Sequence, residues 1–218
     1  MTPKHSLTVD PVFLHVLDLL DRIEQGEDPN PQEERVQIKT LLDQGEAIVG
    51  ASEEWELTKY AIVSWVDEVL LTSSWAHRDW WGNNVLEVEF FNTRLCNEQF
   101  FVNAKAASQM SNRDALEVYY ICVILGFRGL YQDEAIASML VSQHQLPSDL
   151  KAWKRQTAMS IRVGQGRPVL SGLGREIHGA PPLSQRSSVV WPWLAVAAMA
   201  TFLCVLLFQF GAAEAWMN

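Results

Sequence analysis

The chain has 218 residues, a formal net charge of −9 and a hydrophobic fraction of 48%. That length suits one ordinary domain with appendages, and the apolar fraction excludes a disordered chain. The acidic balance argues against a general nucleic-acid binder, which needs a basic surface for phosphates. Three widely spaced cysteines, Cys96, Cys122 and Cys204, exclude a disulfide framework and a CxxC metal site.

Helical periodicity extends through the first 163 residues, and three helix starts are marked by a capping residue followed by Pro or Glu: Asp10, Asn30 and Ser52. We expect Pro11 in the first turn of the first helix and Gly26 at its end. The next two helices are predicted to end near Gly50 and Leu71.

The second half of this region is also predicted to be helical. A Trp-rich loop at 72–84 precedes one or two helices between residues 85 and 109, although 85–91 is also compatible with a strand. Later helices are expected at 112–125, 133–144 and 148–162. The segment 115–125 is apolar on every side except Glu117, which predicts a central core helix. The sequence therefore predicts an all-α domain of about seven helices.

An uncharged segment near the C-terminus predicts a membrane-spanning helix. Residues 187–213 contain no charged side chain, and about 20 apolar residues are enough to cross a bilayer. Trp residues lie near both ends, as in an aromatic belt: Trp191, Trp193 and Trp216. A buried core helix is the alternative, although such helices are rarely this long without a charge.

Flanking charges predict the orientation. Arginines precede the segment and no Lys or Arg follows it, which places the N-terminal region in the cytoplasm. We expect a cytoplasmic helical domain at 1–163 and a flexible Gly/Pro/Ser-rich tether at 164–188. The predicted transmembrane helix at 189–213 is followed by a short tail at 214–218, on the far side of the membrane.

The acidic pair Asp67–Glu68 interrupts an otherwise apolar helix. Adjacent helix positions point about 100° apart, so at least one carboxylate is expected to be partly buried and to have a partner. One interpretation is a structural salt bridge to an Arg of a neighbouring helix. The functional interpretation is an acidic patch in a groove that receives a basic partner. Acid–base catalysis by this pair is a weaker alternative.

Two further features suggest contacts with other proteins. The Trp loop contains Trp75, Trp80 and Trp81, which form either a hydrophobic lid on the bundle or an exposed interaction anchor. Within the predicted span, Ala197 and Thr201 have the spacing of a small-residue face for helix pairing.

No pattern for catalysis, a metal or a nucleotide is evident. The histidines lack ligand spacing: His5, His15, His77, His144 and His178. No phosphate-binding glycine loop follows a strand, and no Ser or Cys has the flanking residues of a nucleophile. We therefore expect no catalytic residue, no metal ligand and no cofactor.

Several segments together resemble the TssL/DotU (IcmH) family. The most specific is LEVYYICVILGFRGLY at 116–131. Supporting segments occur in the same order along the chain: DPVF at 10–13, YAIVSWVDE at 60–68, the Trp loop, LEVEFF at 86–91 and EQFF at 98–101. The resemblance extends from about Asp10 to Arg162, and a C-terminal membrane anchor also fits the family.

This resemblance implies a non-enzymatic, inner-membrane scaffold of a bacterial type VI secretion system. It implies a hook-like cytoplasmic domain built from two three-helix bundles. The expected partners are a TssM-like membrane protein, a TssJ-like lipoprotein, TssK- and TssE-like baseplate subunits, and a second copy of the chain, paired through the membrane helix. The family's acidic pair in a cleft maps onto Asp67 and Glu68.

Two alternatives remain. The first is the DotU-like component of a type IV secretion system, which shares the fold. A member of a different functional class, a tail-anchored hydrolase using Asp67 or Glu68, would require substrate turnover that is lost in Asp67→Asn with the fold intact.

Overall fold

The computed structural model of the protein describes residues 1–164 and Met199. Within residues 1–164 the backbone forms nine α-helices, one 3-10 turn at Gly129–Gln132 and no β-strand. The helices are α1 (Pro3–Glu24), α2 (Pro31–Val49), α3 (Glu53–Thr72), α4 (Arg78–Asn83), α5 (Leu86–Phe91), α6 (Cys96–Ala107), α7 (Asp114–Ile124), α8 (Glu134–His144) and α9 (Leu150–Gly164). The predicted all-α class is confirmed, and the expected seven helices correspond to the seven that are longer than α4 and α5.

Two of the three predicted helix starts are confirmed. The Asn30 side chain accepts hydrogen bonds from the backbone N–H groups of Gln32 (2.9 Å) and Glu33 (3.4 Å) at the start of α2. The Ser52 hydroxyl accepts the N–H of Trp55 (3.1 Å) at the start of α3. These bonds satisfy N–H groups that have no partner within the first turn of a helix.

The predicted start of α1 is wrong. The helix begins at Pro3, with Thr2 as its cap, and Pro11 lies inside it rather than in its first turn. Pro11 and Leu7 both lie on the exposed face, where water can bond the Leu7 carbonyl that lacks its usual helical donor. Because Thr8 and Val9 are buried, packing favours helix on the N-terminal side of the proline.

Helix α3 forms the centre of the described fold. It packs against α1, α2, α4, α5, α6 and α7, and its residues 58–67 are each at most 8% exposed. Helix α7, which the sequence predicted to be a core helix, lies directly against α3 and buries Leu116, Tyr119 and Cys122. A helix buried on every side must satisfy any polar group that it carries, which directs attention to Asp67 and Glu68 near its C-terminal end.

The segment after α3 differs in part from the prediction. The Trp loop contains a short helix, α4, and the ambiguous segment at 85–91 is helical as α5. Among the residues that the structure describes, no helix is long and apolar enough to cross a membrane. The predicted tether, span and tail, together with Ala197 and Thr201, lie outside the described residues apart from Met199 and Gly164, which is the last residue of α9.

Candidate functional site

Asp67 joins α3 to the Trp loop and to α5. The side chain is 2% exposed, and its carboxylate accepts three hydrogen bonds. The donors are the indole Nε1 of Trp81 (2.9 Å) and the backbone N–H groups of Leu86 (3.0 Å) and Glu87 (2.9 Å). Leu86 and Glu87 are the first residues of α5, whose N–H groups have no partner within the helix. Asp67 therefore caps α5 from a neighbouring helix.

Glu68 performs the corresponding role for a different segment. Its carboxylate oxygens accept the backbone N–H groups of Arg128 (2.6 Å) and Gly129 (2.9 Å), where the 3-10 turn begins. Gly129 has a φ of +50°, and a Cβ there would lie 2.8 Å from the carbonyl oxygen of Asn97. The turn therefore requires glycine, and Glu68 fixes its position against the end of α3.

Burial dominates the electrostatics of both carboxylates. It raises the pKa of Asp67 from 3.8 to about 6, against the opposing effect of its three hydrogen bonds. Burial also raises the pKa of Glu68, which is half-buried. Among the ion pairs of the described region none involves either residue, and the partners are backbone N–H groups and an indole. In the structure, both carboxylates are therefore held by these N–H donors and not by a salt bridge to an Arg.

A second buried carboxylate, Glu87, extends this network. It is 2% exposed, and its Oε1 accepts hydrogen bonds from the hydroxyls of Tyr60 (2.9 Å) and Thr93 (2.8 Å) and from the backbone N–H of Leu95 (2.9 Å). These bonds fix the connection between α5 and α6. Glu87 was not predicted from the sequence, where its only signal is that it is one of two acidic residues that alternate with apolar ones in LEVEFF.

The three Trp residues of the loop differ in exposure. Trp75 and Trp81 are 2% and 0% exposed, with ring centroids 6.0 Å apart, while Trp80 is half-buried. Trp75 and Trp81 have the burial expected of a hydrophobic lid. Trp80 and the neighbouring Asp79, whose side chain is 98% exposed, are among the loop residues that reach the surface.

A groove lies beside the connection that Glu87 fixes. It has a volume of about 370 Å³, and its walls include Leu57, Phe91 and Leu95. Leu95 is 57% exposed although its backbone N–H is bonded to Glu87. Glu53 and Glu56 also line this groove, so an apolar surface is bordered by acidic side chains. This arrangement suits an amphipathic segment with basic residues.

One cluster in the described region has the side chains to hold a metal ion. His5, Glu54 and Asp114 each place one potential ligand atom within 4.8 Å of the others. Sequence spacing could not reveal it, because the three residues belong to α1, α3 and α7.

Comparisons with known proteins identify a matching family and a solved structure with a similar fold. A family model described as "Type VI secretion system protein DotU" matches residues 8–212. The chain is similar to the solved structure "Cytoplasmic domain of TssL from Acinetobacter baumannii", with 23% sequence identity and a TM-score of 0.56. That similarity covers 75% of this chain and 99% of the solved one. No curated protein matches the chain.

Proposed function

The chain belongs to the DotU family of type VI secretion system proteins, and on that basis we propose that it is a non-enzymatic scaffold of the secretion membrane complex. The family match over residues 8–212 carries this proposal, because it includes nearly all of the described helices and of the uncharged segment at 187–213. The family's description also favours type VI secretion over the type IV alternative.

We further propose that residues 189–213 cross the bacterial inner membrane once, with the helical domain in the cytoplasm and the C-terminus in the periplasm. The arginines before the segment and its uncharged length support this orientation. In this proposal the helical domain has the hook-like form of two three-helix bundles. It binds the cytoplasmic baseplate while the span joins TssM- and TssJ-like components.

Asp67 and Glu68 act on partner binding mainly by position. Asp67 is too buried to form a large direct contact, but it caps the start of α5. Glu87, the second residue of α5, in turn fixes Thr93 and Leu95 in the groove wall. Glu68 fixes the 3-10 turn on the other side of α3. Trp75 and Trp81 support the same loops from inside, and Trp80 supplies surface that a partner can contact.

The proposed occupant of the groove is a basic amphipathic segment of a TssK- or TssE-like baseplate subunit. Apolar side chains on such a segment would contact Leu57, Phe91 and Leu95, and its basic residues would approach Glu53 and Glu56. The net charge of −9 favours encounter with a basic surface, so we expect binding to weaken as salt rises.

A matched pair of exposed leucines tests this proposal. Full-length protein from detergent-solubilised host membranes is captured by an affinity tag, and its partners are identified by mass spectrometry. Leu95→Glu places a charge in the groove, whereas Leu14→Glu, at a position 67% exposed on α1, leaves the groove unchanged. We expect Leu95→Glu to lose the baseplate subunits and Leu14→Glu to retain them, with unchanged unfolding midpoints in both.

Equal capture by Leu95→Glu and the wild type would place the baseplate contact elsewhere on the domain. Recovery of no secretion component by the wild type would contradict the scaffold proposal itself.

Self-association through Ala197 and Thr201 is a separate part of the proposal. Ala197→Leu with Thr201→Leu is expected to reduce crosslinked dimer in membranes without affecting membrane insertion.

The hydrolase alternative has little support from the site. Both oxygens of Asp67 accept protein hydrogen bonds, and both oxygens of Glu68 bond to the 3-10 turn. A general acid or base must reach a proton on its substrate, which these bonded carboxylates are poorly placed to do.

A further inference from the structure

Three potential metal ligands from distant parts of the chain meet at a small polar cavity. His5 comes from α1, Glu54 from the first turn of α3 and Asp114 from the first position of α7. All three line a cavity of about 170 Å³, and one ligand atom from each lies within 4.8 Å of the others. The cavity is separate from the groove beside α5.

The hydrogen bonds around His5 leave one ring nitrogen available. His5 is 5% exposed, and its Nε2 lies 3.0 Å from the hydroxyl of Thr58. That hydroxyl donates its proton to the carbonyl of Glu54 (2.9 Å), so it must accept from Nε2–H. The neutral ring then keeps a lone pair on Nδ1, for which the described residues provide no hydrogen bond. Fixing one ring nitrogen by a hydrogen bond is typical of metal-bound histidine.

Glu54 carries the clearest sign of an absent partner. Its Oε1 is buried and has no hydrogen-bond partner among the described residues. Burial raises the pKa of Glu54, and the negative charge of Asp114 raises it further. Burying a carboxylate oxygen without a hydrogen-bond donor costs free energy. A cation between the carboxylates of Glu54 and Asp114 would offset this cost and the repulsion between their charges.

Asp114 is held in place by the residues before α1. It accepts the backbone N–H of Thr2 (2.9 Å) and the Thr2 hydroxyl (2.5 Å), and each oxygen retains capacity for a further bond. The Met1 amine lies 3.9 Å from Asp114 Oδ1 but contacts Glu117, and the exposed Lys4 also borders the cavity. Neither cation forms a hydrogen bond to the Oε1 of Glu54.

We propose that His5, Glu54 and Asp114 form a binding site for a divalent transition metal, with Zn²⁺ as its preferred occupant. An imidazole with two carboxylates suits Zn²⁺ better than Mg²⁺ or Ca²⁺, which prefer oxygen ligands alone. Bonds of about 2.0–2.2 Å require ligand atoms well inside the 4.8 Å within which these three lie. Glu54 is the side chain able to move, since nothing holds its Oε1.

The bound metal has a structural consequence. The metal would connect α1, through His5, to the first turns of α3 and α7. Because it would bind the folded domain but not the unfolded chain, it would stabilise the fold. This role is independent of partner capture at the groove.

The test measures zinc binding by full-length protein, purified in detergent without a polyhistidine tag. Zn²⁺ alone is titrated in competition with a coloured chelator, and retained metal is measured by mass spectrometry after dialysis. The key variant is Glu54→Gln, which keeps the side-chain shape but removes the charge. Its matched control is Glu53→Gln, at the exposed neighbouring position on α3.

We expect the wild type and Glu53→Gln to retain one equivalent of Zn²⁺ and to unfold at a higher temperature when it is bound. Glu54→Gln should bind at least tenfold more weakly and show no such thermal shift, and His5→Gln should behave in the same way. Failure of the wild type to retain zinc would overturn the proposal. Equal affinity in Glu54→Gln and the wild type would also overturn it and point to a surface pair such as His144–Glu98.

Discussion

Replacing Asp67 with Ala is expected to destabilise the helical domain by about 3 kcal/mol at pH 7. The substitution leaves three buried donors without an acceptor: Trp81 Nε1, Leu86 N–H and Glu87 N–H. Each such donor costs about 1–3 kcal/mol, or roughly 6 kcal/mol together. The raised pKa of Asp67, about 6 instead of 3.8, means that its ionised form remains disfavoured by roughly 3 kcal/mol in the fold even with these hydrogen bonds, and the substitution removes that penalty. The lost hydrogen bonds outweigh this gain.

Thermal unfolding of the full-length protein in detergent, followed by Trp fluorescence, measures this effect. A loss of about 3 kcal/mol lowers the unfolding midpoint by roughly 6–12 °C for a chain of this length. The matched control is Asp79→Ala in the Trp loop, where the side chain is 98% exposed. Its stability should remain within about 0.5 kcal/mol of the wild type, as for most surface substitutions.

Equal midpoints for Asp67→Ala and Asp79→Ala would refute the reasoning. Such a result would mean that the three hydrogen bonds do not hold α5 and the Trp loop against α3. A role for Asp67 in direct partner contact would then regain support, because a side chain exposed to a partner can be truncated without affecting the isolated fold.

Three further predictions follow from the same geometry. When the pH falls from 7 to 5, the free energy of unfolding of the wild type should rise by roughly 1–2 kcal/mol relative to that of Asp67→Asn. The reason is that folded Asp67, with its pKa near 6, takes up a proton over this range and the unfolded chain does not. Urea unfolding at both pH values measures the effect, and a difference between the two proteins that does not change with pH would contradict it. Gly129→Ala should cost more than about 1 kcal/mol, since its φ is +50° and its Cβ would meet the Asn97 carbonyl, whereas Gly82→Ala should be tolerated; unfolding midpoints test the pair. Glu68→Ala should cost about 1 kcal/mol and speed hydrogen exchange at the Arg128 and Gly129 amides, and unchanged exchange would contradict the capping role.

The sequence predicted local structure best where the signal was itself local. Asn30 and Ser52 cap their helices through bonds to residues two or three positions ahead, so the pattern contains the whole interaction. Pro11 misled the same reasoning. The burial of Thr8 and Val9 extends α1 through the proline, and that burial depends on packing against other helices.

The candidate site was predictable only in outline. A carboxylate pair inside an apolar helix implied burial and a partner, and Asp67 is indeed buried. Its donors, however, lie 14–20 residues away, and those of Glu68 lie 60–61 residues away. The His5, Glu54 and Asp114 cluster likewise depends on the packing of three helices. No spacing rule within one segment could identify these partners.

The adjacency of Asp67 and Glu68 has a geometric explanation with a functional consequence. Neighbouring positions on α3 point about 100° apart, so one pair of carboxylates reaches two different segments. A substitution at either residue therefore displaces a loop before it changes the surface charge that a partner would meet. Loss of partner capture after charge reversal at this pair cannot by itself identify a contact. Leu95 separates the two effects, because its backbone is held by Glu87 while its side chain is exposed. If the groove binds the partner, Leu95→Glu abolishes capture at an unchanged unfolding midpoint, whereas Asp67→Ala lowers both together.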